Sequence, residues 1–427
     1  MHDPRVSAMA AGLIGSEILR IAADVRAMLA EGAEVCNLTV GDFSPAEFPA
    51  PPALVDGIVE ALRAGETNYP PSDGVASLRQ AVAKFYEEWL GLRYGVESIL
   101  ITGGSRPGLY AAYRALVDEG DRVIYPVPSW NNNHYVHLTS SVGVPVICTA
   151  EDDFLPTRAQ LEPLVGGARM LVLNSPLNPT GTALTPEALA DICDLVLEEN
   201  ARRGPGERPL YLLYDQVYWM LTFGTTRHVN PVSLRPAMRD YTVFVDGISK
   251  SFASTGVRVG WTVAPADITR RMASLVGHVG AWAPRAEQLA VARLLGDRAG
   301  IEAYHETMLR EVYDRLEALY QGILSLRERG FPVEAVRPMG AIYLSARFEL
   351  HGAVTPGGKT LGTNDDIRHY LLEAAGVAAV PFQAFGLAEE TGWFRLSVGA
   401  ISKEEIPAML ERLERALASA AAVSAAA

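Results

Sequence analysis

Between residues 98 and 250, short apolar runs alternate with stretches of helical spacing. The runs fall at 99–101, 123–125, 144–147, 170–173, 210–214 and 243–245. Between two of them Leu109, Ala112, Tyr113, Leu116 and Val117 repeat at the spacing of one helix face. Strand–helix alternation predicts an α/β fold, a mostly parallel sheet with helices on both faces. In such sheets ligands collect at the carboxyl ends of the strands. Polar residues stand at just those ends: Gly103, Gly104 and Ser105, then Ser129 and Trp130, then 174–181, Asp215 and Lys250.

The flanking regions follow other patterns. Ile18, Ile21, Ala22, Val25, Met28 and Leu29 predict a helix over 16–31, closed by Gly32. A strand at 35–40, a Pro-rich loop at 41–52, a helix at 54–62, a turn at 68–74 and a helix at 76–90 follow. The 286–326 region is helical, with a long connecting helix from His305 onward. Past Gly330 the pattern becomes α+β, with strands at 341–348, 377–380 and 393–398 and helices at 365–375 and 403–418. The division expected is a large ligand-binding domain at 51–300 and a small domain at 301–427, completed by residues 1–50. The alanine-rich stretch 418–427 reads as frayed helix or disorder.

Composition narrows the partners. The 427 residues carry a net charge of -13, which argues against nucleic acid and anionic membranes. Only 20% of residues are charged while 49% are hydrophobic, so some surface is expected against another subunit. No apolar run reaches the roughly 20 residues of a membrane span. The first twenty residues lack the apolar core of a secretory signal. Cys36, Cys148 and Cys193 are scattered and odd in number, giving neither a disulfide framework nor zinc spacing. A reducing, cytoplasmic setting and no metal are expected.

The chemistry gathers around TVFVDGISKSFASTGVRVGW, residues 242–261. A β-rich run stops at Gly247, and Lys250 follows on a Ser/Gly-rich turn. Burial disfavours a lysine's charged form and leaves the free amine, which condenses with aldehydes. Ser249, Ser251, Ser254 and Arg258 around it suit a phosphate. Together they suggest a phosphorylated aldehyde, pyridoxal phosphate. In isolation, the stretch reads as a surface lysine on a polar loop after a strand; that reading loses only because other stretches ask for the same partner. Gly103 and Gly104 let backbone approach an anion at a helix N-terminus. NSPLNPTG, residues 174–181, is a rigid loop presenting Asn178. Asp215 in YLLYDQVYW follows apolar residues and needs a cation, such as a pyridinium nitrogen, with Tyr218 in reach of the same ring, or it is a strand-end Asp that caps the following segment. Trp130 is placed to stack on a flat ring or to pack in the core. Arg395, inside an apolar strand, needs a bidentate anion, either a structural carboxylate or that of a substrate.

In this order the stretches resemble the class I/II aminotransferases, the fold-type-I pyridoxal phosphate enzymes, and specifically the aspartate aminotransferase-like ones. The resemblance runs from LTVGD (38–42) through Tyr69-Pro70, Gly74, Leu78-Arg79, NSPLNPTG, YDQVY and SKSFASTGVRVGW to FRLSVG. It implies a mostly parallel seven-stranded sheet between helices plus a smaller α+β domain. It implies a ping-pong exchange of an amino group between an amino acid and a 2-oxo acid, with glutamate/2-oxoglutarate as one pair and aspartate as the other substrate. By the same resemblance Lys250 carries the cofactor as a Schiff base and shuttles the substrate proton. Asp215 pairs with the ring nitrogen; Tyr218 and Asn178 bond the ring hydroxyl; Trp130 stacks on the ring. Gly104, Ser105, Ser249 and Arg258 hold the phosphate, with Tyr69 reaching it from the other subunit of a homodimer. Arg395, Asn178 and the backbone of Gly41 bind the α-carboxylate. Arg106 takes the place of a lysine that reads a distal carboxylate in one subgroup, or is a solvated first-turn arginine. His134 is placed to brace Asp215, or is simply satisfied or exposed.

Three departures stand out. Gln216 follows Asp215 where the family has an acid, PFQAFG puts Phe382 and Gln383 where Gly and Ser are common, and GDFSPAEFP replaces the usual N-terminal arrangement. The last two fall in segments that, by the resemblance, line or cover the substrate. They keep open a lyase, decarboxylase or cyclase on the same scaffold. A non-catalytic ligand sensor fits the acidic chain and its complete catalytic set poorly.

Overall fold

Residues 5–13 and 17–426 are described by the computed structural model. Its large sheet holds seven strands in the order Ile99–Thr102, Gly260–Val263, Thr242–Gly247, Tyr211–Asp215, Ala168–Asn174, Arg122–Val127 and Val142–Ile147. Only Gly260–Val263 runs against the rest. Side chains alternate across the sheet. Ile99, Leu212, Tyr214 and Phe244 pack on one face against Ala76–Leu90, Pro186–Arg202 and Arg285–Gly296. Leu100, Tyr211, Leu213 and Val243 pack on the other against Ser105–Leu116 and Ala266–Val279. Burial on both faces explains the unbroken apolar runs in the sequence.

Six of the seven strands lie on those runs. Gly260–Val263 has no counterpart among the predicted strands. It is four residues long and opens on a glycine that must stay bare, because a Cβ at Gly260 would press into the backbone of Gly104 and Ser105.

The later part of the chain builds a second core. A four-stranded antiparallel sheet, Val380–Pro381, Trp393–Ser397, Tyr343–Phe348 and Val333–Ala335, packs with Arg298–Glu328, Asn364–Ala375 and Glu405–Ala426. The strand predicted at 35–40 shrinks to Cys36–Asn37, which pairs in parallel with Val377–Ala378. The strand predicted at 377–380 is therefore split: its first half serves this pair and Val380–Pro381 joins the four-stranded sheet. The connecting helix begins at Arg298 rather than His305, and the last helix runs to Ala426 rather than stopping near 418. The predicted N-terminal helix appears as Glu17–Ala30; Ser16, its expected start, and Ala427 lie outside the described residues. Among the described residues no helix is long and apolar enough to cross a membrane, and the three cysteines are free and buried.

Candidate active site

The carboxyl ends of the large sheet open on a cavity of about 890 Å³. Thr242–Gly247 is buried along its whole length and ends where Gly247 passes Gly260 too closely for a side chain. One helical turn, Ile248–Ser251, then delivers Lys250 into the cavity. Its Nζ donates to the carbonyl of Gly41 at 2.6 Å. Burial brings the Lys250 pKa down to about 8; Asp42 raises it, and Arg395, Arg106 and Arg258 lower it further. An amine so placed is available as nucleophile and base near neutral pH.

Asp215 ends the neighbouring strand and lines the same cavity. Burial pushes its pKa up to about 7, against the Val217 N–H at 3.1 Å and the field of Lys250. Asn174 locks the local backbone: its amide donates to the Asp215 carbonyl at 2.9 Å, and its Oδ1 accepts from the Asn178 N–H at 2.8 Å. Asn178 in turn accepts from Arg395 Nη1 at 3.1 Å.

Arg395 is 1% exposed, and among the described residues no carboxylate pairs with it. Nη2 donates to the Thr39 carbonyl at 2.7 Å, while Nε has no partner. The guanidinium lies over the rings of Tyr343 and Phe385, at 4.6 and 4.9 Å from their centroids. Burial lowers its pKa. A buried guanidinium left this way is a receptor for an anion. Beside it the Tyr218 and Tyr343 hydroxyls meet at 2.6 Å, and burial raises the Tyr218 pKa far above the usual phenol range.

A second anion receptor faces Lys250. Gly104 sits at φ +90° as the N-cap of Ser105–Leu116, and a Cβ there would overlap the Arg258 guanidinium. Arg258 is held by donating to the carbonyls of Thr255 at 2.6 Å and Gly103 at 3.0 Å. Ser105, Ser249 and Arg258 line this end, where the helix offers unpaired N–H groups. Trp130 forms the outer wall, with Arg106 at 5.1 Å from its ring centroid.

Of the residues singled out in the sequence, Gly41, Ser105, Arg106, Trp130, Asn178, Asp215, Tyr218, Ser249, Lys250, Arg258 and Arg395 line one cavity. Gly104 stands just behind Arg258. Tyr69 lies outside, 83% exposed, its ring edge-on to Trp282 at 5.6 Å. Ser251 and Ser254, taken with Ser249 as phosphate ligands, do not line it; the Ser254 hydroxyl donates to the Phe252 carbonyl at 2.7 Å. Phe382 and Gln383 are also turned away. Phe382 is packed against Phe154 and Trp393, and Gln383 bonds Asn364 and the Glu389 carbonyl. His134 does line the cavity, with its pKa lowered by burial. Tyr343, Asp42 and Thr255 were missed, while Asn174 was marked only as the start of the 174–181 loop. Tyr343 reads as core in an apolar strand. Asp42 and Thr255 carry a signal only as a pair, joined by a 2.6 Å hydrogen bond across 213 positions.

Comparison with known proteins agrees with this geometry. The family profile "Aminotransferase class I and II" matches residues 33–413. The aspartate aminotransferase of Rhizobium meliloti (strain 1021) is 32% identical over 405 residues, covering 94% of this chain and 93% of that one. The solved structure of the aspartate aminotransferase from Rhizobium meliloti matches with a TM-score of 0.87 at 29% identity, covering 97% of this chain and 99% of that one. The Thermus thermophilus aspartate aminotransferase with maleate matches at 0.85 and 27%, covering 98% and 100%. A profile match over most of the chain, together with a relative of this identity and coverage, places the chain in the class I and II aminotransferases.

Proposed function

We propose that this aminotransferase uses pyridoxal phosphate and exchanges an amino group between aspartate and 2-oxoglutarate, with glutamate as the returning amino acid. The observation that carries the reading is Arg395: a buried guanidinium without a carboxylate, opening on the cavity that holds Lys250 and Asp215.

The residues fit the cofactor. The bare Gly104 turn, Ser105, Ser249 and Arg258 suit a phosphate. Asp215, its proton affinity raised by burial, suits a protonated ring nitrogen. Bound there, pyridoxal phosphate supplies an aldehyde carbon that joins an amino group and a ring that withdraws electrons from the adjoining carbon. The chain's own work is to hold and to move protons. Asp215 would keep the ring nitrogen charged, Tyr218 and Asn178 would bond the ring hydroxyl, and Trp130 would cover the ring. Arg395, with Asn178 and the backbone of Gly41, clamps the substrate α-carboxylate. Lys250 Nζ, drawn near neutrality by burial, would take the proton from the substrate α-carbon and return it to the cofactor's aldehyde carbon on the far side of the nitrogen.

The second carboxylate of aspartate has a partner in Arg106, which lines the outer wall; the Thermus relative is described with maleate, itself a dicarboxylate. Of the two departures that had kept other pyridoxal chemistries open, Phe382 and Gln383 do not line the cavity, and of GDFSPAEFP only Gly41 and Asp42 do. We read the protein as a homodimer in which Tyr69 crosses to the partner's phosphate site. On its own surface Tyr69 meets Trp282 edge-on, and the Trp282 backbone abuts the Gly103 turn. The division into 1–50, 51–300 and 301–427 is supported by the pairing of Cys36–Asn37 with Val377–Ala378. The free, buried cysteines suit the cytoplasm.

Steady-state kinetics of Arg106→Ala test the substrate class. The loss in kcat/KM for aspartate is expected to exceed that for alanine by at least about tenfold, since a charged hydrogen bond is worth about 1.5–3 kcal/mol. Equal losses for both would show that Arg106 does not read the side chain.

A further inference from the structure

Behind the site lies a polar network that the proposed chemistry does not use. Asp246 is 0% exposed and follows Val245, the register partner of Asp215 on the adjacent strand. Alternation turns its side chain to the sheet face away from the cavity. No cation pairs with it among the described residues. Instead, donors converge on it. Oδ2 accepts from the Tyr86 hydroxyl at 3.1 Å and Trp219 Nε1 at 2.9 Å, and Oδ1 accepts from the Gly247 N–H at 2.7 Å. Tyr86 accepts in turn from Gln216 Nε2 and Trp261 Nε1, both at 3.2 Å, and His228 Nε2 meets Gln216 Oε1 at 3.2 Å.

This wiring can serve either protonation state. With Asp246 charged, His228 donates to Gln216, Gln216 to Tyr86 and Tyr86 to Asp246. With Asp246 protonated, its O–H donates to Tyr86, the Tyr86 proton turns to a flipped Gln216 amide, and His228 accepts from that amide. The charged and titratable groups around it are Asp215, Tyr86 and His228; burial holds His228 neutral, its pKa near 3. Gln216, the unusual residue after Asp215, is the hinge of the relay.

We propose that Asp246 is a positioning residue: a buried carboxyl whose reversible hydrogen-bond wiring accommodates it with or without its proton and which, when charged, strengthens the hold of Asp215 on the cationic atom it faces. This rests on the cofactor reading above. Burial, and then the opposing donors, leave the Asp246 pKa raised from 3.8 to about 8, with Asp215 raising it. Because the folded chain keeps this proton to higher pH than the unfolded chain, it binds more protons between those values. The stability contributed by Asp246 is therefore lost as pH rises from about 4 to about 8.

The test uses full-length Asp246→Asn, which matches the protonated acid in shape. Without cofactor, the variant's melting temperature relative to wild type is expected to rise from about pH 5 to about pH 8, on top of a constant loss from the one N–H donor that the amide nitrogen cannot accept. A merely structural hydrogen-bonding role predicts a loss that does not vary with pH, and that result overturns the proposal. With pyridoxal phosphate, the ratio of dissociation constants, variant over wild type, is expected to grow at least about threefold between about pH 6.5 and pH 9. A flat ratio overturns the coupling to Asp215. Tyr86→Phe, which removes one donor, shifts the pH at which wild-type affinity rises to a higher value; an unmoved profile contradicts the relay even where Asp246→Asn does not fold. A wild-type protein that never binds pyridoxal phosphate refutes the cofactor reading alone, and the melting curves still decide on Asp246.

Discussion

Lys250 is where burial and charge meet most sharply. Desolvation and three guanidiniums favour the free amine, and Asp42 alone opposes them among the groups that shift it most. The chain has four lysines, so amine labelling reads this one cleanly. In cofactor-free protein, Lys250 is expected to label with a midpoint near pH 8, while Lys359, its pKa raised by the hydrogen bond to Asp366, needs more alkaline solution. A midpoint shared by these two would contradict the buried setting. Replacing Lys250 by Ala is expected to abolish turnover while leaving pyridoxal phosphate bound non-covalently. Arg395→Ala removes a clamp of two charged hydrogen bonds, and is expected to raise KM for every amino acid by at least about 100-fold, from about 1.5–3 kcal/mol per bond. At this scale the sequence was informative wherever a charge interrupts an apolar pattern, as at Lys250, Asp215 and Arg395. It was silent on Tyr343, because a tyrosine among apolar residues looks like core whether or not its hydroxyl faces a ligand. It was silent on Asp42 and Thr255, whose contact depends on the fold.

The cofactor cradle is a property of elements rather than single residues. Gly247, Gly260 and Gly104 bring the lysine-bearing strand, its antiparallel neighbour and the start of Ser105–Leu116 into backbone contact. A methyl group at Gly260 would meet the Gly104 carbonyl carbon and the Ser105 nitrogen, neither of which can yield as a side chain would. Gly260→Ala is therefore expected to weaken pyridoxal phosphate binding by at least about tenfold, that is about 1.4 kcal/mol, in a titration of the cofactor-free protein. Unchanged affinity would show that the cradle tolerates a wider gap. The strand that tightens the cradle, Gly260–Val263, escaped the sequence pattern because it is short and glycine-led. The split at Ala379 escaped it too, since one apolar run was shared between two sheets whose partners lie more than three hundred residues apart on one side and under twenty on the other. The long helices and the parallel strands were legible because their periodicity is local.

At the scale of the molecule, one cavity is lined by two anion receptors, around Arg395 and around Arg258, together with Lys250, a set that suits a phosphate and a carboxylate held beside one reacting carbon. Tyr69 sits outside this cavity, and Val55, Val59 and Leu62 form an exposed apolar stripe on Pro52–Arg63. Both features are expected to be covered by a second copy, so sedimentation should give twice the chain mass, and Tyr69→Phe should lower cofactor affinity without changing that mass. An active monomer would contradict the assignment of Tyr69. The most direct test of the central claim is the visible absorption spectrum of the purified protein supplied with pyridoxal phosphate. L-aspartate is expected to bleach the yellow band, and 2-oxoglutarate to restore it, because each half of the exchange leaves the cofactor in a different form. A band that ignores aspartate and glutamate alike would contradict the dicarboxylic assignment, and a protein that develops no band would contradict the cofactor itself.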